Sequence, residues 1–336
     1  MKDQAIQIIR VAAMIYIVIY HCVCYYGIWQ DQFPTNTIYE SIENWRGACN
    51  IALNAFVFIS GYLYASLYNQ GKYHNTRDLI IGKFKRLLYP YCMWAIIATI
   101  LLRTENSIRD LFTGTQHLWF LLMLSALYIM IALCRVMRWK VKYIILGIVL
   151  CLVFNTLNAR FFSDIPDYLR IRDAIKYMPA FLFGVIAVKT KAVAKLSQIK
   201  LRYNVMVLLT LAYISGLVII IDRLPFGLLY RDIPSYFLIL WLYVIISKRS
   251  ITMSNTTAKL FNSFDKHSMS IYLIHHILIW TGLTYISWMP LIFDEHFIQA
   301  PIIMFLIVLP LSWSFSYVFS AWKYTQLLFT PKVAKA

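Results

Sequence analysis

The sequence predicts an all-α membrane protein, a polytopic bundle of about ten transmembrane helices with both termini in the cytoplasm. Three observations predict it. First, 60% of the residues are hydrophobic and only 14% are charged, whereas a soluble domain carries about 25% charged residues. Second, apolar runs recur at about 6–26, 47–68, 87–102, 117–134, 142–157, 174–188, 204–221, 233–247, 268–288 and 300–322. Each is near the ~17–25 residues that a helix needs to cross a bilayer. Third, the loops between the runs alternate in charge.

With the N-terminus inside, the inner segments hold 23 of the 32 basic residues, and the outer side keeps 12 of the 15 acids. The inner set includes Lys72 to Arg86, Arg135 to Lys142, and Lys189 to Arg202. An excess of Lys and Arg marks cytoplasmic loops, and an even number of helices follows. The net charge of +17 therefore belongs to topology and not to a nucleic-acid surface.

The first run, Ile6 to Tyr26, is long enough to span and lacks a small-residue cleavage site, so no signal peptide is expected. It carries Arg10 and His21. Eleven residues are three turns plus about 20°, so the two side chains share one face, ~16 Å apart along the axis. Ionisable groups at membrane depth are costly and usually functional. The competing readings are an arginine that snorkels to the interface and a histidine that merely bonds a neighbouring helix.

On the second run, Asn50 and Asn54 lie one turn apart. Antiparallel packing of the first two helices would put His21 level with them, and Arg10 level with Gly61 to Leu63. An asparagine would then orient the histidine, or would only join helices. The third run opens on Lys83, Lys85 and Arg86, a basic cluster suited to phosphate or to anionic headgroups. The fourth starts at the outer face with His117 and Trp119, where an aromatic belt is the plain alternative. The ninth contains Ser268 to His276, with His275 expected about two turns from the inner face, just deeper than Arg10.

Adjacent His275 and His276 diverge by about 100° on a helix, so one metal is not expected to take both. The six cysteines have no metal-ligand spacing and read as small apolar fillers. No carboxylate is expected within a helix core. The chain shows no internal repeat, and one domain over residues 1–336 is expected.

These elements, in this order, resemble the acyltransferase-3 family of bacterial membrane proteins. The resemblance rests on Arg10 and His21 and on Val57-Phe58-Ile59-Ser60-Gly61-Tyr62-Leu63. It continues with Arg86-Leu87-Leu88-Tyr89-Pro90, His117-Leu118-Trp119-Phe120-Leu121, Phe181-Leu182-Phe183-Gly184 and Ser268 to His275. Lys83 stands where many members carry arginine. The extra extracytoplasmic domain of some members is not expected here.

The resemblance implies transfer of an acyl group, commonly acetyl, from a coenzyme A thioester to a hydroxyl or amine of an envelope glycan or lipid-linked sugar. It implies the bilayer of the cell membrane as the setting, acyl-CoA as donor substrate, and no resident cofactor or metal. His21 would be general base or acyl carrier, with Arg10 holding the donor. Donor and substrate contacts would come from Lys83, Lys85 and Arg86, from Ser60 and Asn54, and from His117, Trp119, Tyr272 and His275. A transporter or flippase for a lipid-linked or small anionic solute is the main alternative. The absence of duplicated halves leans against it. A non-catalytic binding protein is the third possibility, and Arg10, His21 and His275 argue against that.

Overall fold

The computed structural model describes residues 3–24, 38–102, 108–162, 165–220, 227–249, 253–286, 299–322 and 325–329. Outside them lie the run ends 25–26, 221 and 287–288, part of the stretch between the first two apolar runs, and the basic residues Lys2, Lys323, Lys332 and Lys335.

Most of the described residues are helical, and none of them is in a strand. Ten long helices coincide with the ten apolar runs. They are α1 (Gln4–Cys24), α2 (Ile38–Asn69), α4 (Tyr89–Leu102), α6 (Trp119–Cys134), α7 (Val141–Phe161), α8 (Ile171–Lys189), α10 (Leu201–Ile220), α11 (Gly227–Lys248), α12 (Asn255–Tyr285) and α13 (Gln299–Ala321). Three short helices lie between them: α3 (Thr76–Lys83), α5 (Ile108–Thr113) and α9 (Ala192–Ser197). Five of the long helices meet the length and hydropathy of a membrane span by themselves. Outward-facing Leu150, Leu209 and Leu306 are 60–63% exposed. Such apolar surface on α7, α10 and α13 is a lipid-facing surface.

Local chemistry sets the helix starts. Asp3 accepts hydrogen bonds from the backbone N–H groups of Ala5 and Ile6, which begins α1. Ser254 accepts from the N–H of Thr257 and begins α12 at Asn255, about four turns before the apolar run. This overturns the expected depth of His275. The polar stretch ahead of the run is helix and not loop, so His275 sits far along α12.

α2 is the central helix, packed along α8 and against α1 and α11. Two glycines let α2 and α8 touch through their backbones. A Cβ on Gly61 would lie 2.0 Å from the Phe181 carbonyl oxygen, and one on Gly184 would lie 2.3 Å from that of Phe58. Small residues serve this purpose in membrane bundles, where dispersion replaces the hydrophobic effect. Gly61→Ala and Gly184→Ala are each expected to destabilise the bundle by about 1–3 kcal/mol through overpacking. Thermal unfolding in detergent checks this, and an unchanged midpoint would refute it.

Paired contacts give the directions. Asn54 meets Ser235, and eight residues further along each helix Tyr62 meets Tyr243, so α2 and α11 run parallel. Arg10 meets Asp265 and His21 meets His275, so α1 and α12 run parallel. Lys189 donates to the carbonyls of Met137 and Trp139, tying two expected inner loops together at one end of the bundle. We call this the basic end.

Candidate functional site

Four of the chain's seven histidines converge inside the bundle. His21 comes from α1, His117 from the entry to α6, and His275 and His276 from α12. His21 Nδ1 and His275 Nε2 are 2.8 Å apart, within hydrogen-bond distance. His117 stacks on His276, with centroids 4.2 Å apart and planes at 15°. His21 stands edge-on to His117 and His276 at 6.1 and 5.2 Å. His117, His275 and His276 are buried.

The chain before α6 is shaped to deliver His117. Gly114 has φ +93 and Gln116 φ +43, and a short 3₁₀ turn, Gln116–Leu118, follows. A side chain at Gly114 would meet both an unfavourable backbone region and the Trp119 Cβ at 2.7 Å. His117 Nε2 then lies 3.0 Å from the Tyr272 carbonyl oxygen, and the Tyr272 hydroxyl donates to the His117 carbonyl. Tyr272 thus holds His117 in place from both sides.

The hydrogen bonds assign the tautomers of the neutral rings. His275 Nδ1 faces the Ile271 carbonyl at 3.0 Å. A carbonyl only accepts, so this nitrogen carries the proton and His275 Nε2 is left as an acceptor. His21 Nδ1 must therefore donate to it, and His21 Nε2 keeps a lone pair. By the same logic His117 donates through Nε2 and keeps a lone pair on Nδ1. That nitrogen is buried with no partner among the described residues. The cluster thus presents two imidazole nitrogens ready to take a proton or an acyl group. The rings bond and stack on one another, and among the described residues no group of His, Cys, Asp and Glu is spaced to hold a metal.

This geometry corrects the expected orienter of His21. Asn54 reaches away from it, donating to Ser235 Oγ at 3.0 Å and lying 3.5 Å from an Asp232 oxygen. Asn50 accepts from the Tyr177 hydroxyl. The partner of His21 is a second histidine. His276 was not singled out from the sequence, because a 100° offset reads as divergence. Both rings join because α12 faces α1 with one and the His117 turn with the other.

Arg10 also has a partner that the run boundaries hid. Its Nε donates to Asp265 Oδ1 at 2.8 Å, and one terminal nitrogen donates to the same oxygen. Gln7 Nε2 donates to the other carboxylate oxygen at 2.9 Å. The Asp265 side chain is 2% exposed and that of Arg10 is 29% exposed. Asp232, 4% exposed, is a second carboxylate within a helix. The expectation of carboxylate-free helix cores therefore fails at both positions.

The basic cluster lies at the basic end. Lys83 ends α3, and Lys85 and Arg86 sit on a π-helical turn, Phe84–Leu88. Such turns are rare and frequently occur at functional sites. The Lys83 ammonium lies 3.8 Å from the centre of the Tyr128 ring, a cation–π contact. The Tyr128 hydroxyl donates to the Ser60 carbonyl, so Ser60 lies near the cluster and apart from the histidines. Trp119 packs beside Tyr177 and Arg170, next to the histidine cluster.

Residues 3–321 match the family model of the acyltransferase-3 family, described as an acyltransferase domain. The chain belongs to the acyltransferase-3 family. No curated protein and no solved structure matches it. Membership decides for a membrane acyltransferase over a transporter. In this acyltransferase-3 chain the motifs divide by task. Gly61 and Gly184 bring α2 and α8 together, His117 and Tyr272 lock each other, and α1 carries Arg10 to Asp265 and His21 to the histidine cluster. The sequence did not separate the structural motifs from the chemical ones.

Proposed function

We propose that the chain moves an acetyl group from acetyl-CoA, bound at the basic end, to a hydroxyl of an envelope glycan or lipid-linked sugar at the opposite end. The setting is the cytoplasmic membrane of a bacterium, with the basic end facing the cytoplasm. The observation that carries the reading is the bonded pair His21–His275, which leaves His21 Nε2 as a base.

In this mechanism His21 Nε2 takes the proton of the acceptor hydroxyl. The oxygen attacks the thioester carbonyl carbon, and the carbon–sulfur bond breaks. Coenzyme A leaves as thiolate and receives the proton back from His21. The positive charge on His21 during the reaction is shared through its Nδ1–H with His275, whose own proton is anchored on the Ile271 carbonyl. Histidine suits such a role near neutral pH. Arg10, Lys85 and Arg86 attract the phosphates of the donor.

The test is purified protein in lipid nanodiscs with acetyl-CoA, read by release of free thiol, beside mass spectrometry of envelope glycans from cells with and without the gene. Acetyl groups present only with the gene support the proposal. Identical glycans and no thiol release would overturn it. Donor-derived label retained on His21 in the absence of acceptor would make the histidine a covalent carrier in place of a base.

Two further outcomes are expected. Neutralising Lys85 and Arg86 together should weaken acetyl-CoA binding about tenfold or more at low salt, and the difference should shrink as salt screens the wild-type contacts. Equal binding by the variant, measured by calorimetry, would assign both residues to topology. Single cysteines placed in 189–203 should resist impermeant thiol reagents in intact cells. Labelling from outside would invert the orientation.

A further inference from the structure

The turn between α2 and α3, at the basic end, fixes one ring in place. Gly71, with φ +88, follows the end of α2. His74 donates from Nε2 to the Tyr68 carbonyl at 2.9 Å, and its ring lies 4.4 Å from that of Tyr68. Asn75 then begins α3 by accepting from the backbone N–H of Arg77. Between these fixed points Tyr73 has φ +62, a left-handed conformation that is rare for a bulky side chain and costs stability. It sets the Tyr73 ring over the end of α3. A Cβ on Gly82 would lie 3.9 Å from Tyr73 Cε1. The Lys83 ammonium lies 5.8 Å from the centre of the Tyr73 ring and 3.8 Å from that of Tyr128. Tyr73 and Lys83 are half-buried, and Lys72, His74, Arg77 and Arg86 around them are exposed.

Backbone and charge both point to a ligand here. A tyrosine that only anchors a helix at the membrane interface needs no left-handed backbone, and glycine or asparagine would fill this position at lower cost. The cations around the ring are also unpaired. Arg10, Arg170 and Arg172 each meet a carboxylate. Among the described residues, none of Lys72, Arg77, Lys83, Lys85 and Arg86 forms an ion pair. Lys83 rests on two ring faces, and its N–H groups have no acceptor among the described residues. A fixed aromatic ring beside unpaired cations, on an open surface, suits a flat base that carries phosphates.

We propose that this turn holds the nucleotide end of the donor, an adenosine 3′,5′-bisphosphate. The adenine stacks on Tyr73, and Lys83 meets the phosphate on the ribose. Lys85 and Arg86, on the π-helical turn that follows α3, keep the pyrophosphate. Adenine is the one flat aromatic group in acyl-CoA, and stacking on an aromatic side chain needs no particular base edge. The turn therefore grips the handle that all acyl-CoA donors share, and the choice of acyl group is made elsewhere. The inference rests on the acyl-transfer reading for its place in the reaction.

The test uses the full chain in phosphatidylcholine nanodiscs, with adenosine 3′,5′-bisphosphate as the probe and no acyl-CoA. Calorimetry is expected to show binding, and saturation-transfer NMR to show the strongest transfer on the base protons. Tyr73→Phe keeps the ring and should bind as the wild type does. Tyr73→Asn removes the ring and suits the left-handed backbone, so the turn is kept while binding weakens about tenfold. Adenosine 5′-monophosphate lacks the ribose 3′-phosphate and should bind more weakly than the bisphosphate, and Lys83→Gln should abolish that difference. No binding by the wild type, equal binding by Tyr73→Asn, or transfer confined to the ribose would overturn the proposal. Displacement by pyrophosphate at equal concentration would also overturn it, by reducing the turn to an anion site. Acetyl-CoA turnover on the same nanodiscs tests the chemistry separately. Bisphosphate binding without turnover keeps this site and removes the acyl-transfer reading, whereas turnover without bisphosphate binding does the reverse.

Discussion

His21→Ala is expected to abolish acyl transfer while the protein still inserts and folds. Among the described residues the ring is joined to the bundle by one hydrogen bond, to His275, together with ring contacts to its neighbours. Truncating it removes a modest stabilising contact and the whole of the proposed base. Loss of a general base costs about 10²–10⁴ in rate. His275→Ala should cost less, because it removes the group that fixes the His21 tautomer but leaves the lone pair. His275→Gln should recover part of that loss, since its amide oxygen can accept the Nδ1 proton of His21. The graded series is the signature of a positioning residue behind a base. Acetylated glycan should be measured against the amount of membrane-inserted protein for each variant. Near-normal acetylation by His21→Ala at normal protein level would refute the assignment. The base would then be sought at His117, the other ring with an open lone pair, and not at His275, whose two nitrogens are both engaged.

The positions of the ten long helices were legible because hydropathy reports them directly. Helix ends were not, because a helix can run on into polar residues once a cap starts it and a partner shelters it. Ser254 and the Arg10–Asp265 pair do this for α12, so Asp265 read as a loop acid and His275 seemed shallow. Asp232 was misread for the same reason, since α11 begins at Gly227 and not at the first apolar residue. Arg10, His21, His117 and His275 could be named from spacing and resemblance. Their grouping required knowing that α1 and α12 run parallel and side by side, which no local pattern encodes. His276 shows the same limit. Its offset from His275 on one helix is correct, but two different neighbours make both rings useful. The glycine motifs were visible as sequence, but their task depends on a backbone contact between helices far apart in the chain.

Arg10→Ala is expected to lose most of the folded protein, and Asp265→Asn much less. The two side chains are unequally buried, 2% exposed for Asp265 and 29% for Arg10. Removing the arginine strands a buried carboxylate, and breaking a buried pair in this way costs about 3–5 kcal/mol. Removing the carboxylate charge leaves an arginine that can still reach water by extending its side chain. Arg10→Lys keeps the charge as a single point and loses the two-nitrogen grip on Oδ1. It should keep most of the protein and lose activity if the remaining guanidinium hydrogens hold the donor. The double variant Arg10→Met with Asp265→Leu separates the two tasks. Replacing a buried pair by apolar residues of similar volume is often neutral or stabilising, so its unfolding midpoint should match or exceed that of the wild type. Its acetyl-CoA binding should nevertheless fall at least tenfold, and transfer with it. Wild-type binding and transfer by this well-folded double variant would reduce Arg10 and Asp265 to a structural clasp and leave the donor to the rest of the basic end.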